Sequence, residues 1–172
     1  MPLHLIIDGY NLIRQSRELS SLDARDLAAG REALLDLLAA YRRARPAHQV
    51  TVIFDGREAG DVKESRDRRQ GVAIIYSRRG EAADEVIKRL LSREGARGVA
   101  VTSDRELQAW AQRVGAAWLG SLEFERGHLR GREPALAEED GADSSARAGK
   151  KTGPARRLPK RERRLRQRLR KL

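Results

Sequence analysis

Two short stretches constrain this chain more than anything else in it. Leu3-His4-Leu5-Ile6-Ile7 runs into Asp8-Gly9, and Val50-Thr51-Val52-Ile53-Phe54 runs into Asp55-Gly56. An apolar run of about five residues without polar alternation reads as a strand buried on both faces. Such strands belong to parallel sheets covered by helices, and those sheets place their ligands at the carboxyl ends of the strands. Asp8 and Asp55 stand at that end.

The pattern continues along the chain. Val72–Tyr76 is a third predicted strand and Val99–Thr102 a fourth, closed by Ser103-Asp104, with Ala116–Leu119 a short fifth. Between them lie helical segments. Tyr10–Ser20 reads as one short helix. A longer helix, capped by Ser21 or Asp23 and running to about Ala44, carries the stripe Leu27, Leu34, Leu38 and Tyr41. Glu81–Glu94 presents Ala83, Val86, Ile87, Leu90 and Leu91. The next helix presents Leu107, Trp110, Ala111 and Val114 and stops at Gly115, and Ser121–Leu129 makes a last short one. Arg57–Gln70 shows no apolar periodicity and reads as a mobile surface loop. Strands alternating with helices, joined by right-handed crossovers, give an α/β domain with a central parallel sheet of about five strands.

Domain limits follow from composition. The compact domain spans 1–131. Residues 132–159, rich in Gly, Ala, Ser, Pro and charge, read as a flexible linker. Residues 160–172 form a basic tail that can be written as a helix with Leu165, Leu169 and Leu172 on one side. The net charge of +11 resides entirely in the last thirty residues, where 13 Lys and Arg face only Asp143 and Glu162. A cationic tail on a neutral body points to a polyanionic partner, above all nucleic acid, although a solubilising end is the plainer alternative.

Other classes are excluded. With no cysteine, there are no disulfides, zinc–thiolate sites or thiol nucleophiles. No apolar run approaches the roughly 20 residues of a membrane span. The N-terminus lacks the basic region and cleavage site of a signal peptide, so the cytoplasm is the expected location and no membrane partner is expected. The glycines form neither a P-loop nor a dinucleotide fingerprint, and no Ser-His-Asp set is present. His4 reads as a core or sheet-surface residue, while His48 and His128 lack supporting residues. Tyr10 stands where an aspartyl phosphotransferase of the haloacid dehalogenase type needs a second aspartate. Nothing in the residues bears on oligomeric state.

Four acids remain. Asp8, Asp55 and Asp104 follow buried strands, and Asp84 opens a helix just after another. In a parallel sheet all four share one edge, and the first and fourth strands are expected to flank the point where strand order reverses. Crowded carboxylates repel one another and raise one another's pKa, a penalty that a divalent cation removes. Hard oxygen ligands with open positions suit Mg²⁺ or Mn²⁺. Each acid also has a plainer reading: Asp8 and Asp55 as turn residues before glycine, and Asp84 as a first-turn acid favoured by the helix dipole. Ser103 followed by Glu106 matches a capping box, which would leave Asp104 to support a helix start. Asn11 either orients a ligand beside Asp8 or caps a helix. Thr102 and Ser103 either position phosphate and Asp104 or are turn residues.

Ile6-Ile7-Asp8-Gly9-Tyr10-Asn11, Val52-Ile53-Phe54-Asp55-Gly56, Ala83-Asp84 and Val101-Thr102-Ser103-Asp104 together resemble the motifs of the YacP-like group of NYN domains, within the PIN-like nuclease fold. The resemblance covers roughly residues 1–130 and leaves the basic tail outside. It implies a three-layer domain and a metal-dependent endoribonuclease that hydrolyses RNA with Mg²⁺ or Mn²⁺ and an activated water. By motif position, Asp8, Asp84 and Asp104 would be metal ligands, Asp55 a fourth acid acting directly or through water, and Asn11 an orienting residue. Arg57, Arg66, Arg68, Arg69, Arg78 and Arg79, placed on loops at the acidic edge, would grip phosphates of the RNA or present a merely solvated surface. Aromatic residues make up only 4% of the chain, so no base-stacking platform is evident. Specificity is then expected from RNA shape or from an assembly such as the ribosome. The alternative is a non-catalytic RNA- or ribosome-binding protein that uses the tail.

Overall fold

The computed structural model describes residues 2–56 and 63–130, together with Gln167, Leu169 and Leu172. The chain divides into two units, Met1–Gly131 and Arg132–Leu172. The expected linker and basic tail lie outside the described residues, except that Gln167 and Leu169 are helical.

The first unit is a six-stranded sheet between two layers of helices. Its strands are β1 (His4–Asp8), β2 (Gln49–Phe54), β3 (Ser65–Arg69), β4 (Val72–Tyr76), β5 (Gly98–Val101) and β6 (Ala117–Leu119). The helices are α1 (Gly9–Gln15), α2 (Arg17–Asp23), α3 (Leu27–Ala44), α4 (Ala83–Glu94), α5 (Arg105–Val114) and α6 (Ser121–Phe124), and a π-helical turn follows at Glu125–Leu129. The spatial order is β3-β4-β2-β1-β5-β6. All pairings are parallel except β3 with β4. Strand order reverses beside β1, which pairs with both β2 and β5, so β1 and the fourth predicted strand are neighbours as expected.

Strand alternation sorts the apolar residues into two cores. Ile6, Ile53, Ile75 and Ala100 point to one face, where they meet Val86, Ile87, Leu90 and Leu91 of α4 and Leu107 and Ala111 of α5. Their sequence neighbours Leu5, Ile7, Val52, Phe54, Ile74 and Val101 are buried on the other face. Burial on both faces explains why the strands read as continuous apolar runs. His4, at the far end of β1 from Asp8, is buried with its Nε2 2.7 Å from Thr51 Oγ1, and that burial lowers its pKa.

The structure corrects several local expectations. Ser65–Arg69 is a strand, not a loop, and pairs antiparallel with β4 along the sheet edge. Gln70 and Gly71, with φ of 47° and 84°, make the two-residue turn that closes this hairpin. No apolar residue marks β3, because an edge strand with exposed charges buries almost nothing. Tyr10–Ser20 breaks into α1 and α2 at Ser16, whose extended backbone ends one helix and whose Oγ caps the next at Leu19 N, 3.2 Å away. The cap of α3 is Asp26, accepting from Ala28 N at 2.9 Å, so Leu27 falls in the first turn and is 37% exposed.

Candidate functional site

Asp8 ends β1, and its backbone turns directly into α1. Gly9 has no alternative there, since a Cβ would lie 2.4 Å from the Phe54 ring. Asp8 is the N-cap of α1, with Oδ1 accepting from Asn11 N at 3.3 Å. Its Oδ2 accepts from Thr102 Oγ1, at the end of β5, at 3.4 Å. Asp104 is the N-cap of α5, its Oδ1 accepting from Glu106 N at 2.7 Å and Leu107 N at 3.3 Å. The cap is therefore Asp104 rather than Ser103, and the expected capping box does not form, since Leu107 and not Glu106 stands at the third helical position. Asp104 N in turn donates to Thr102 Oγ1 at 3.1 Å, so one threonine ties the two aspartates together. Asp84 stands in the first turn of α4, after a cap position, Ala82, that offers no side-chain acceptor.

The three carboxylates act on one another. Asp8 is pushed up to about 6, first by burial and then by the charges of Asp84 and Asp104. Asp84 is also raised, by burial and by Asp104, with Lys88 pulling the other way. Among the described residues, however, no three His, Asp or Glu side chains are gathered tightly enough to form a ready metal-binding group.

Asn11 is held with unusual care. Its Oδ1 accepts from Ser103 N at 2.9 Å and from Ser121 Oγ at 2.7 Å, and Ser121 N reaches Ser103 Oγ at 3.3 Å. Three chain segments, after β1, β5 and β6, are thereby locked together, and Ser121 is fully buried at the join. From the sequence, Ser121 is expected only to begin a short helix. Its signal was a small polar residue following the apolar run Ala116–Leu119, at the edge where Asp8 and Asp104 follow theirs.

The other candidates are arranged differently. Asp55 is half-buried just past β2, and is not among the leading influences on Asp8 or Asp84. Gly56 beside it is demanded by packing, because a Cβ there would lie 1.7 Å from Ser77 O. Arg57 lies outside the described residues. Arg66, Arg68 and Arg69 belong to β3, not to a loop. Arg69 pairs with Glu32 and Asp36 of α3 at the end of the hairpin away from Tyr76, and Arg66 pairs with Glu64. Arg78 pairs with Glu81 at 3.5 Å, Arg79 sits in the turn before α4, and Arg68 is exposed.

The YacP-like NYN domain profile matches residues 5–171. The chain belongs to that family. The match runs through the basic tail, which the resemblance had been expected to leave out, so the tail is part of the family pattern. The chain is 30% identical over 86 residues to the uncharacterized protein YacP of Bacillus subtilis; this stretch is 50% of the chain and spans about half, 49%, of that relative. It is also similar to two crystal structures of Rae1 (YacP) from Bacillus subtilis, one of them of a mutant. Both give a TM-score of 0.60 and 26% identity, over 72% and 73% of this chain and 73% and 72% of theirs. No helix among the described residues is long and apolar enough to cross a membrane.

Proposed function

We propose that this chain is a metal-dependent endoribonuclease whose site is the acidic edge formed by Asp8, Asp84 and Asp104. The observation that carries the reading is the gathering of these carboxylates at one edge, where burial first, and then the charges of Asp84 and Asp104, lift Asp8 to about 6. A fold tolerates such repulsion where a cation relieves it. The donor set is all carboxylate oxygen, the chemistry of Mg²⁺ and Mn²⁺. Mg²⁺ keeps several waters and takes one or two protein carboxylates, so spaced acids suit it better than a tight cage. When bound, the ion supplies positive charge at a phosphodiester and lowers the pKa of water.

The chain's own residues fix the geometry. Thr102 holds Asp8 and Asp104 in one frame, and Asn11 fastens the β1, β5 and β6 ends beneath them. Groups held before substrate arrives need no reorganisation during reaction. Asp104 spends Oδ1 on its helix cap, and its Oδ2 makes no hydrogen bond among the described residues. RNA is the substrate class supported by family membership and by the cationic tail, and a ribosome-associated RNA fits the scarcity of base-stacking aromatics.

The test is cleavage of labelled single-stranded RNA by the purified chain with Mn²⁺ and with chelator. Cleavage that needs Mn²⁺ and disappears in Asp8→Asn and Asp104→Asn supports the reading; undiminished cleavage in both variants removes it. A second reading, a non-catalytic RNA- or ribosome-binding protein, draws on the fact that Asp8 and Asp104 already serve as helix caps. It predicts binding that depends on residues 143–172 and no cleavage under any metal condition.

A further inference from the structure

A groove of about 570 Å³ lies between α2 and the α6–π-turn segment. That volume falls in the range of roughly 300–1,000 Å³ typical of ligand sites. It is lined by Leu22 and Leu122 and by Arg17, Arg25, Arg126 and Arg130, together with Glu18 and Glu125. Only Arg130 is neutralised among the described residues. It donates from Nε to Glu125 Oε1 at 2.8 Å and also pairs with Glu18. Glu125 is itself buried and takes the Ser16 hydroxyl at 2.5 Å, so a carboxylate inside the fold fixes the base of the Arg130 side chain. The guanidinium groups of Arg17, Arg25 and Arg126 are exposed and make no ion pair with any described residue.

The groove is linked to the acidic edge through the start of α6. Leu122 follows Ser121, whose hydroxyl bonds Asn11, and Asn11 N bonds Asp8. The opposite flank of the edge, on α4 and α5, carries Glu85 and Glu106, which bracket Lys88. The guanidinium groups of the groove left unpaired among the described residues attract an anionic strand to this side. Guanidinium forks match phosphate oxygens bidentately, and the leucines of the lining offer apolar surface to the sugar–base side of a nucleotide.

We propose that this groove is a binding site for the phosphate backbone of RNA, holding the strand on the α2/α6 side of the acidic edge. The proposal rests on the RNA reading above, but adds a site and a direction of approach. It assigns backbone contact to Arg25 and Arg126, which are far in sequence from the arginines of the β3–β4 region.

The test uses the full chain carrying Asp8→Asn, with chelator present, and follows binding of a fluorescent single-stranded RNA by anisotropy across a salt series. In this background Arg25→Ala with Arg126→Ala is compared with Arg93→Ala with Arg113→Ala, an equal loss of charge on α4 and α5. The groove pair is expected to weaken binding about tenfold at moderate salt, and to flatten the slope of log affinity against log salt by about 1.4, or about 0.7 per lost phosphate contact. The control pair is expected to change affinity less than twofold. Equal effects of the two pairs would overturn the site. So would a groove pair that binds RNA normally but loses affinity for polyglutamate, which would give the groove to an acidic protein. Loss of RNA affinity in the groove pair, in a chain that never cleaves RNA, would sustain the groove and remove the nuclease. Cleavage by the unaltered chain, with groove and control pairs binding alike, would do the reverse.

Discussion

Asp8 is where stability and function pull in opposite directions. Its carboxyl is raised from 3.8 to about 6 in the folded chain. The folded state therefore binds more protons than the unfolded one between those values, and stability contributed at Asp8 falls as pH rises through that window. Without metal, Asp8→Asn is expected to stabilise the chain at pH 7 by at most about 3 kcal/mol, from about two pKa units. The gain should vanish below about pH 3, where the carboxyl is largely protonated in the folded and the unfolded chain alike. Chemical denaturation of both proteins at the two pH values measures it; a destabilised Asp8→Asn at pH 7 would show that its caps outweigh its burial. Asn11→Ala leaves the buried Ser121 hydroxyl and Ser103 N without their acceptor, and is expected to cost about 2 kcal/mol. Asp8 and Asp104 stood out in the sequence as acids just past apolar runs, and Asp84 as an acid opening the helix after another. Their double duty was only half legible: the sequence offered cap or ligand as alternatives, whereas the structure shows Asp8 and Asp104 as caps within a mutually repelling set. Ser121 escaped because one serine after a three-residue strand carries no pattern.

At the scale of elements, those that bury apolar faces could be read and those that bury none could not. Each of β1, β2, β4 and β5 fills two cores and announces itself in five or so residues, and α4 and α5 show their single buried faces by helical spacing. β3 has neither signature, and its hairpin rests on Gln70 and Gly71. Gly71→Ala, at φ 84°, is expected to cost about 1 kcal/mol. Faster amide exchange confined to β3 and β4 would locate the damage, and unchanged exchange there would deny the turn its role. The break between α1 and α2 was hidden for another reason: it rests on one hydroxyl, Ser16, whose partners are the nearby Leu19 N and the distant Glu125. Ser16→Ala removes the cap at Leu19 N and one donor to buried Glu125. It is expected to lower stability by about 2–3 kcal/mol, read from the midpoint of a urea transition.

Over the whole molecule, charge is divided. The carboxyl edge of the sheet gathers acids, while the C-terminal thirty residues hold 13 Lys and Arg. On the proposed RNA reading, an acidic site that handles a polyanion needs attraction from elsewhere, and the tail and the α2/α6 groove would provide it. Removing residues 143–172 is expected to weaken RNA binding and flatten its salt dependence, while leaving the chemistry at the acidic edge intact. A truncated chain with the full salt slope would leave the tail no electrostatic part in binding. The family match through residue 171 agrees with treating the tail as part of the same protein type.

All of this turns on whether Asp8, Asp84 and Asp104 take up one cation. Anomalous diffraction from crystals of the full chain soaked in Mn²⁺ answers that directly. The account predicts a Mn²⁺ peak between those three side chains, reached directly or through water, and its absence from Asp8→Asn crystals treated identically. Well-ordered carboxylates with no peak between them, at a Mn²⁺ concentration that supports RNA cleavage, would contradict it.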